Sequence, residues 1–269
     1  MLPEGTLQDR VAIITGGGTG LGKAMALEFS RLGARLVLAS RNQDNLRRAA
    51  AEIEARGGEA LVVTVDVRHP EQVDHMVQAA LDRFGRIDSL VNNAAGNFVC
   101  PAEELTVNGW NAVVNIVLHG TFYCTRAVAR HWIRQGRGGS ILNILATYAW
   151  TGGPGTVHSA AAKAGVLAMT RTLAVEWAAR GIRVNAIAPG PVDGTGAAPQ
   201  LWPTEEARQA VLASIPLGRM GRPEEIAHAA AYLVSDYASF ITGEVLTMDG
   251  GQWLGRGVFQ GARRGGKGS

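Results

Sequence analysis

Two cysteines, Cys100 and Cys124, are all that the 269 residues contain, and no C-x-x-C spacing joins them. A disulfide framework and a zinc site are thereby excluded, and both thiols are read as free. Long apolar runs are missing too: Val11 to Ile14 and Leu36 to Ala39 fall far short of the ~20 residues of a membrane helix. The N-terminus, MLPEGTLQDR, has neither the positive start nor the apolar centre of a secretory signal, so the reading is a cytoplasmic protein. Acidic residues are absent from the last fifteen positions, where Arg256, Arg263, Arg264 and Lys267 outweigh the whole net charge of +3. The body is nearly neutral, which argues against nucleic-acid binding and leaves a basic, glycine-rich end read as a solvated tail. No internal repeat and no linker composition divides the chain. With 46% hydrophobic residues it reads as globular.

What is present is an alternation. Short β-branched runs at Val11 to Thr15, Arg35 to Ala39, Ala60 to Val65, Ile87 to Asn92, Ser140 to Leu145, Arg183 to Ile187 and Val245 to Met248 read as strands. Stretches of helical period lie between them: Leu21 to Leu32, Asn42 to Arg56, Pro70 to Phe84, Gly109 to Gln135, Val157 to Arg180 and Pro223 to Leu233. Repeated βαβ units predict an α/β fold, a single doubly wound domain over residues 1–254 with a mostly seven-stranded parallel sheet, followed by the tail at 255–269. The irregular stretch from Pro189 to Pro203, within a region of about 189–215, lies beyond a strand's carboxyl end and is read as a substrate lid.

Directly after the first strand stands Thr15-Gly16-Gly17-Gly18-Thr19-Gly20-Leu21-Gly22, which opens a helix. Glycines let the backbone approach a pyrophosphate, and the helix N-terminus offers amide donors and a positive dipole end. Strand, loop and helix in that order favour a Rossmann-type dinucleotide site over a plain glycine turn. The spacing T-G-x-x-x-G-x-G is similar to that of the short-chain dehydrogenase/reductase family, which the chain resembles from about residue 8 to 251. The second strand ends in Ser40-Arg41, with no acid to meet a ribose 2′-hydroxyl. Arg41 can form charge-assisted hydrogen bonds to a 2′-phosphate, which favours NADPH; the alternative is an exposed loop arginine. By the resemblance, Asp66 and Val67 contact adenine, and Pro189, Gly190 and Val192 meet the nicotinamide carboxamide. Asn92-Asn93-Ala94-Ala95-Gly96 resembles the family's N-N-A-G turn with an extra alanine, which brings Asn93 to the cofactor.

The catalytic pattern departs from the family's usual one. Y-x-x-x-K is replaced by Ser159-Ala160-Ala161-Ala162-Lys163, and Ala146 stands where a strand serine is usual. Either the chain is a nucleotide-binding module without chemistry, or the chemistry has moved. Tyr148 lies two residues past Ala146, where it could also be an aromatic packing beside Trp150. The segments Asn93 to Phe98 and Pro101 to Glu103, Ala146-Thr147-Tyr148 and His158 to Gly165 are similar to the 2,4-dienoyl-CoA reductase branch. Leu173 to Trp177, Ala188 to Pro191 and Met248 to Gly251 continue the resemblance.

That resemblance implies NADPH-dependent reduction of a 2,4-dienoyl-CoA to an enoyl-CoA, the 3-enoyl product, in unsaturated fatty acid β-oxidation. Tyr148 and Asn97 would donate to the thioester oxygen, Lys163 would hold the nicotinamide ribose, Ser159 would meet substrate or cofactor, and Phe98 would meet substrate. Arg68 would reach coenzyme A phosphates or remain solvated. Asn115 is read as structural or auxiliary, and Cys100 as a pocket-wall thiol. His158 and His119 are read as satisfied or exposed rather than as ligands, so no metal is expected. Small residues at the start of the Val157 helix, together with the resemblance, imply a homotetramer. Two other functions stay open: reduction of a 3-oxoacyl thioester or another carbonyl, and non-catalytic NADPH binding.

Overall fold

The computed structural model describes residues 2–195 and 204–255. Seven strands form one sheet: β1 Val11–Thr15, β2 Arg35–Ser40, β3 Glu59–Thr64, β4 Ser89–Asn92, β5 Gly139–Ile144, β6 Ile182–Pro189 and β7 Val245–Met248. Their order is β3-β2-β1-β4-β5-β6-β7 and every pairing is parallel, as predicted. All five residues of β1 are buried, because the strand is covered on both faces. Ala12 and Ile14 pack in one layer with Met25, Phe29 and Ile226, while Val11 and Ile13 pack in the other with Met76, Val128 and Trp132. The period-two alternation of a strand thus feeds two cores.

The helices are α1 Gly20–Arg31, α2 Gln43–Glu54, α3 Pro70–Phe84, α4 Val107–Val114, α5 Gly120–Arg134, the single turn α6 Tyr148–Thr151, α7 Val157–Trp177, α8 Glu205–Ser214 and α9 Pro223–Val234. Their ends follow local chemistry. Pro70 opens α3 and Gly85, at φ +73°, stops it in the left-handed region. Asn42 caps α2 and Thr106 caps α4 through side-chain oxygens that accept from Asn45 and Gly109 amides.

Three expectations need correction. The single helix predicted over Gly109 to Gln135 is interrupted by a π-helical segment, Asn115–His119, in which the Gly120 N–H donates to the Asn115 carbonyl. The wider turn ends where the helix packs tightly on the loop after β3: a Cβ on Gly120 would stand 2.6 Å from Val67 Cγ2. Within the region read as a lid, α8 forms a regular helix, capped by Thr204 accepting from the Ala207 N–H and bearing Glu205 and Glu206 in its first turn. Positions 196–203 of that region, and 256–269 of the tail, lie outside the described residues. The fourth strand begins at Ser89 rather than Ile87, whose carbonyl accepts the indole N–H of Trp132 at 2.7 Å. No helix among the described residues is long and apolar enough to cross a membrane.

Candidate active site

Strand order reverses between β1 and β4, and a cleft of about 1160 Å³ opens beyond their carboxyl ends. The side chain that ends β1 stitches this switch point together. Thr15 Oγ1 accepts the Asn93 and Ala94 N–H groups, each at 3.0 Å, and Asn93 Nδ2 donates to the carbonyls of Thr15 and Gly16. Gly16 at φ +66° and Gly20 at φ +51° take conformations that side chains disfavour, and both line the cleft with Leu21 at the N-terminus of α1. Gly18 and Gly22 stand behind the wall, not on it. A Cβ on Gly22 would lie 2.1 Å from the Gly16 carbonyl oxygen, and one on Gly18 would press at 3.0 Å on the backbone of Asn45 and Leu46. They give the loop the room that its close backbone approaches need.

Arg41 is exposed and lines the cleft, and its charge lies near enough to help lower the Asp66 carboxyl. The larger cause of that lowering is Arg68, whose Nε donates to both Asp66 oxygens at 3.0 Å. Asp66 and Val67 are on the cleft wall; Arg68 is off it, its guanidinium committed to Asp66. The same wall carries Asn93, Pro189, Gly190 and Val192. Gly190 admits the chain after β7, since a Cβ there would sit 2.5 Å from that of Asp249. Glycines with no room for a Cβ and positive φ at the loop fit a nicotinamide dinucleotide.

On the other side of the cleft, β5 delivers Tyr148 at the first position of α6. Its hydroxyl pairs with Ser159 Oγ at 3.0 Å, and Asn97 Nδ2 donates toward it at 3.5 Å. Burial pushes the phenol up and the Ser159 bond pulls it partly back, so the group stays protonated at neutral pH. Ser159 is 1% exposed and reaches the cleft through Tyr148 alone. Phe98 is off the wall as well, its ring 4.4 Å from that of His158. Lys163 does line the cleft. Its ammonium donates to the Ile144 carbonyl, and burial pulls it down to about 8.

A pH dependence follows with a definite sign. Lys163 is charged below about pH 8 and neutral above it, so kcat/KM for the reduced cofactor should fall as pH rises through that value. Stability moves the other way: between about 8 and the ordinary 10.5 the unfolded chain binds the extra proton, so the fold gains stability with rising pH. A rate profile without an alkaline limb would show that the charge of Lys163 is not used.

Sequence reasoning missed several parts of the substrate half. Ile116, from the π-helical segment, lines the cleft together with Pro154, Thr195, Val211 and Gln252. Gln252 Nε2 also donates to Ser214 Oγ at the end of α8, at 2.7 Å, and Trp253 meets Trp150 edge to face at 5.9 Å. The Thr204-Glu205-Glu206 start of α8 was the available signal; the partners of Gln252 and Trp253 are distant in sequence and left none. Cys100 is partly buried beside Pro101. No group of three or more metal-ligating side chains occurs among the described residues. His158 departs from its reading, being buried with neither ring nitrogen hydrogen-bonded among the described residues.

Known proteins agree with this architecture. A family model described as Enoyl-(Acyl carrier protein) reductase matches residues 16–252. A Bacillus subtilis (strain 168) protein named probable 2,4-dienoyl-CoA reductase, (2E)-enoyl-CoA-producing, is 54% identical over 249 residues, covering 92% of this chain and 98% of the relative. A Danio rerio protein named peroxisomal 2,4-dienoyl-CoA reductase, (3E)-enoyl-CoA-producing, is 44% identical over 249 residues, 92% of this chain and 83% of the relative. A crystal structure of a short chain dehydrogenase from Bacillus anthracis superposes with a TM-score of 0.85 at 53% identity, covering 92% and 98% of the two chains. With the glycine loop, the seven parallel strands and the lysine on α7, these likenesses show that the chain is an oxidoreductase of the short-chain dehydrogenase/reductase family, whose members use nicotinamide cofactors, and that it groups with the 2,4-dienoyl-CoA reductase branch.

Proposed function

We propose that the protein reduces 2,4-dienoyl-CoA with NADPH, as a step of unsaturated fatty acid β-oxidation, and that it works as a cytoplasmic homotetramer. The observation that carries the reaction is the meeting of Asn97, Tyr148 and Ser159 beside Lys163, with a serine where a carbonyl reductase needs its tyrosine acid. Reduction of a ketone leaves an alkoxide that must be protonated. Hydride addition to a conjugated thioester instead places charge on the thioester oxygen, which needs hydrogen-bond donors more than an acid.

The bound cofactor supplies the hydride, delivered to the δ carbon of the substrate. Gly16, Gly20 and Leu21 would hold its pyrophosphate, Asp66 and Val67 its adenine, Lys163 its nicotinamide ribose, and Pro189, Gly190 and Val192 its carboxamide, with Asn93 a further cofactor contact. Tyr148 and Asn97 donate to the thioester oxygen as the dienolate forms. Ser159, by donating to the Tyr148 oxygen, leaves the phenolic proton free to point at substrate. Protonation by water at the α carbon gives the 3-enoyl product. This agrees with the Danio rerio relative's name and differs from that of the Bacillus subtilis relative. Small residues such as Ala160, Ala161 and Ala164 on α7 suit close approach of a second subunit.

The test follows NADPH absorbance with a 2,4-dienoyl-CoA, a 3-oxoacyl-CoA and NADH as the alternative donor, and identifies the enoyl product by chromatography. Oxidation with the dienoyl thioester alone supports the reading. Reaction of the oxoacyl substrate alone makes the protein a carbonyl reductase, and cofactor binding without turnover on either makes it a binding module. In the same assay Arg41→Ala should raise KM for NADPH by about 10- to 100-fold, the loss of a charge-assisted hydrogen bond, and leave KM for NADH unchanged. Equal effects on both cofactors would mean that Arg41 is only a solvated loop arginine.

A further inference from the structure

The residue before Ser159 is His158, and nothing in the mechanism above uses its side chain. It is 0% exposed, yet neither ring nitrogen has a hydrogen-bond partner among the described residues. Burial holds the imidazole below its ordinary value, so it is neutral at neutral pH. Native structures leave few buried polar atoms unpaired, and a ring that neither gives nor receives a hydrogen bond acts on its neighbours through packing alone.

Its neighbours are the two segments that carry the donors. The imidazole lies against the Phe98 ring, with centroids 4.4 Å apart and the planes tilted by 44°. From α4, Gly109 closes on the same phenyl ring, where a Cβ would stand 3.2 Å from Phe98 Cζ. Phe98 in turn donates its backbone N–H to Asn97 Oδ1 at 3.0 Å, which decides how the amide faces and turns Nδ2 toward the Tyr148 hydroxyl. On its other side, His158 is one peptide bond from Ser159, which holds that same hydroxyl.

We propose that His158 is a positioning residue: its flat ring, packed against Phe98, sets the separation and facing of the Asn97 amide and the Tyr148 hydroxyl. This rests on the oxyanion role given to that pair. His158 itself touches neither substrate nor cofactor, and no proton passes through it.

Three variants separate this role from a general structural one. His158→Leu keeps bulk without a flat face, His158→Ala removes the ring, and His158→Phe keeps a flat ring without nitrogens. Leu and Ala should each lower kcat by about 10- to 100-fold, the effect of a donor displaced by a fraction of an ångström to an ångström, with KM for NADPH unmoved. Phe should restore kcat and raise Tm, since it removes two unpaired buried atoms. In an Asn97→Ala background the Leu substitution should cost clearly less than in the parent, because one of the two donors it positions is gone. Additive losses in that cycle, or a Leu variant as active as the parent, would overturn the proposal.

A second readout does not depend on the reaction. Hydrogen exchange over residues 93–100 in the protein without substrate should quicken in the Leu variant and be unchanged in the Phe variant. If the parent protein fails to reduce a dienoyl-CoA, the reaction reading falls while the exchange result still decides the positioning role. Unchanged exchange in the Leu variant would defeat it.

Discussion

Tyr148→Phe should lower kcat for dienoyl-thioester reduction by about 10²- to 10³-fold, the usual loss when one donor of an oxyanion site is removed. Affinity for NADPH should be unchanged, because the hydroxyl contacts Ser159 and Asn97 while the cofactor loop lies across the cleft. The variant keeps the ring, so its fold should be intact by circular dichroism. Ser159→Ala should be milder. It leaves the phenol in place and removes only the bond that orients it, so a drop as deep as that of Tyr148→Phe would assign Ser159 a direct role. Full turnover in Tyr148→Phe would return the tyrosine to its bland reading as a packing aromatic next to Trp150. NADPH consumption and a fluorescence titration of cofactor binding, run on the same preparations, separate these outcomes.

Gly22→Ala should abolish the rise in Tm that NADPH gives the parent protein, and should destabilise the unliganded fold by about 1–3 kcal/mol. The added methyl would sit 2.1 Å from the Gly16 carbonyl oxygen and 2.7 Å from Asn93 Nδ2. Neither neighbour can yield alone. The Gly16 N–H is bonded to the Ala39 carbonyl at 2.7 Å, and Asn93 is bonded back to Thr15 and Gly16, so moving one shifts the whole switch point between β1 and β4. Gly57→Ala is the control: its φ is +80° but nothing lies within 4 Å of an added Cβ, so it bears backbone strain without a clash and should keep the cofactor response. A normal NADPH-induced shift in Gly22→Ala would mean that the loop tolerates a wider spacing than its contacts imply.

Much of this protein was legible in its residue order because the signals are local. A strand buried on both faces declares itself as a short, continuous apolar run, as Val11–Thr15 does, and that run needs no partner to be read. The glycine loop and the start of α1 are contiguous, and the spacing of Ser159 and Lys163 on one helix, with Tyr148 just beyond a strand, is countable. Of the region after Pro189, Pro189 to Val192, Thr195 and Val211 line the cleft, and the helix that follows was marked in the sequence only by Thr204 and two glutamates at its start.

Other features depend on residues brought together from far apart in the chain. That only glycine leaves room for the backbone was decided at Gly18 by the approach of Asn45, and at Gly22 by Gly16 and Asn93. The π-helical segment at Asn115–His119 ends at the close packing of Gly120 on Val67, more than fifty residues earlier, and periodicity within one helix carries no trace of that contact. Arg68 is two residues from Asp66, but only the loop's fold turns the guanidinium back onto the carboxylate and off the cleft wall. His158 is the sharpest case, a histidine expected to be satisfied or exposed that is neither. Sequence alone therefore determined the layers, the strands and the chemical types at the site, since those follow from backbone propensity and spacing. The tertiary structure decided which groups share a hydrogen bond or a wall, because close packing and desolvation act between surfaces that no local pattern encodes.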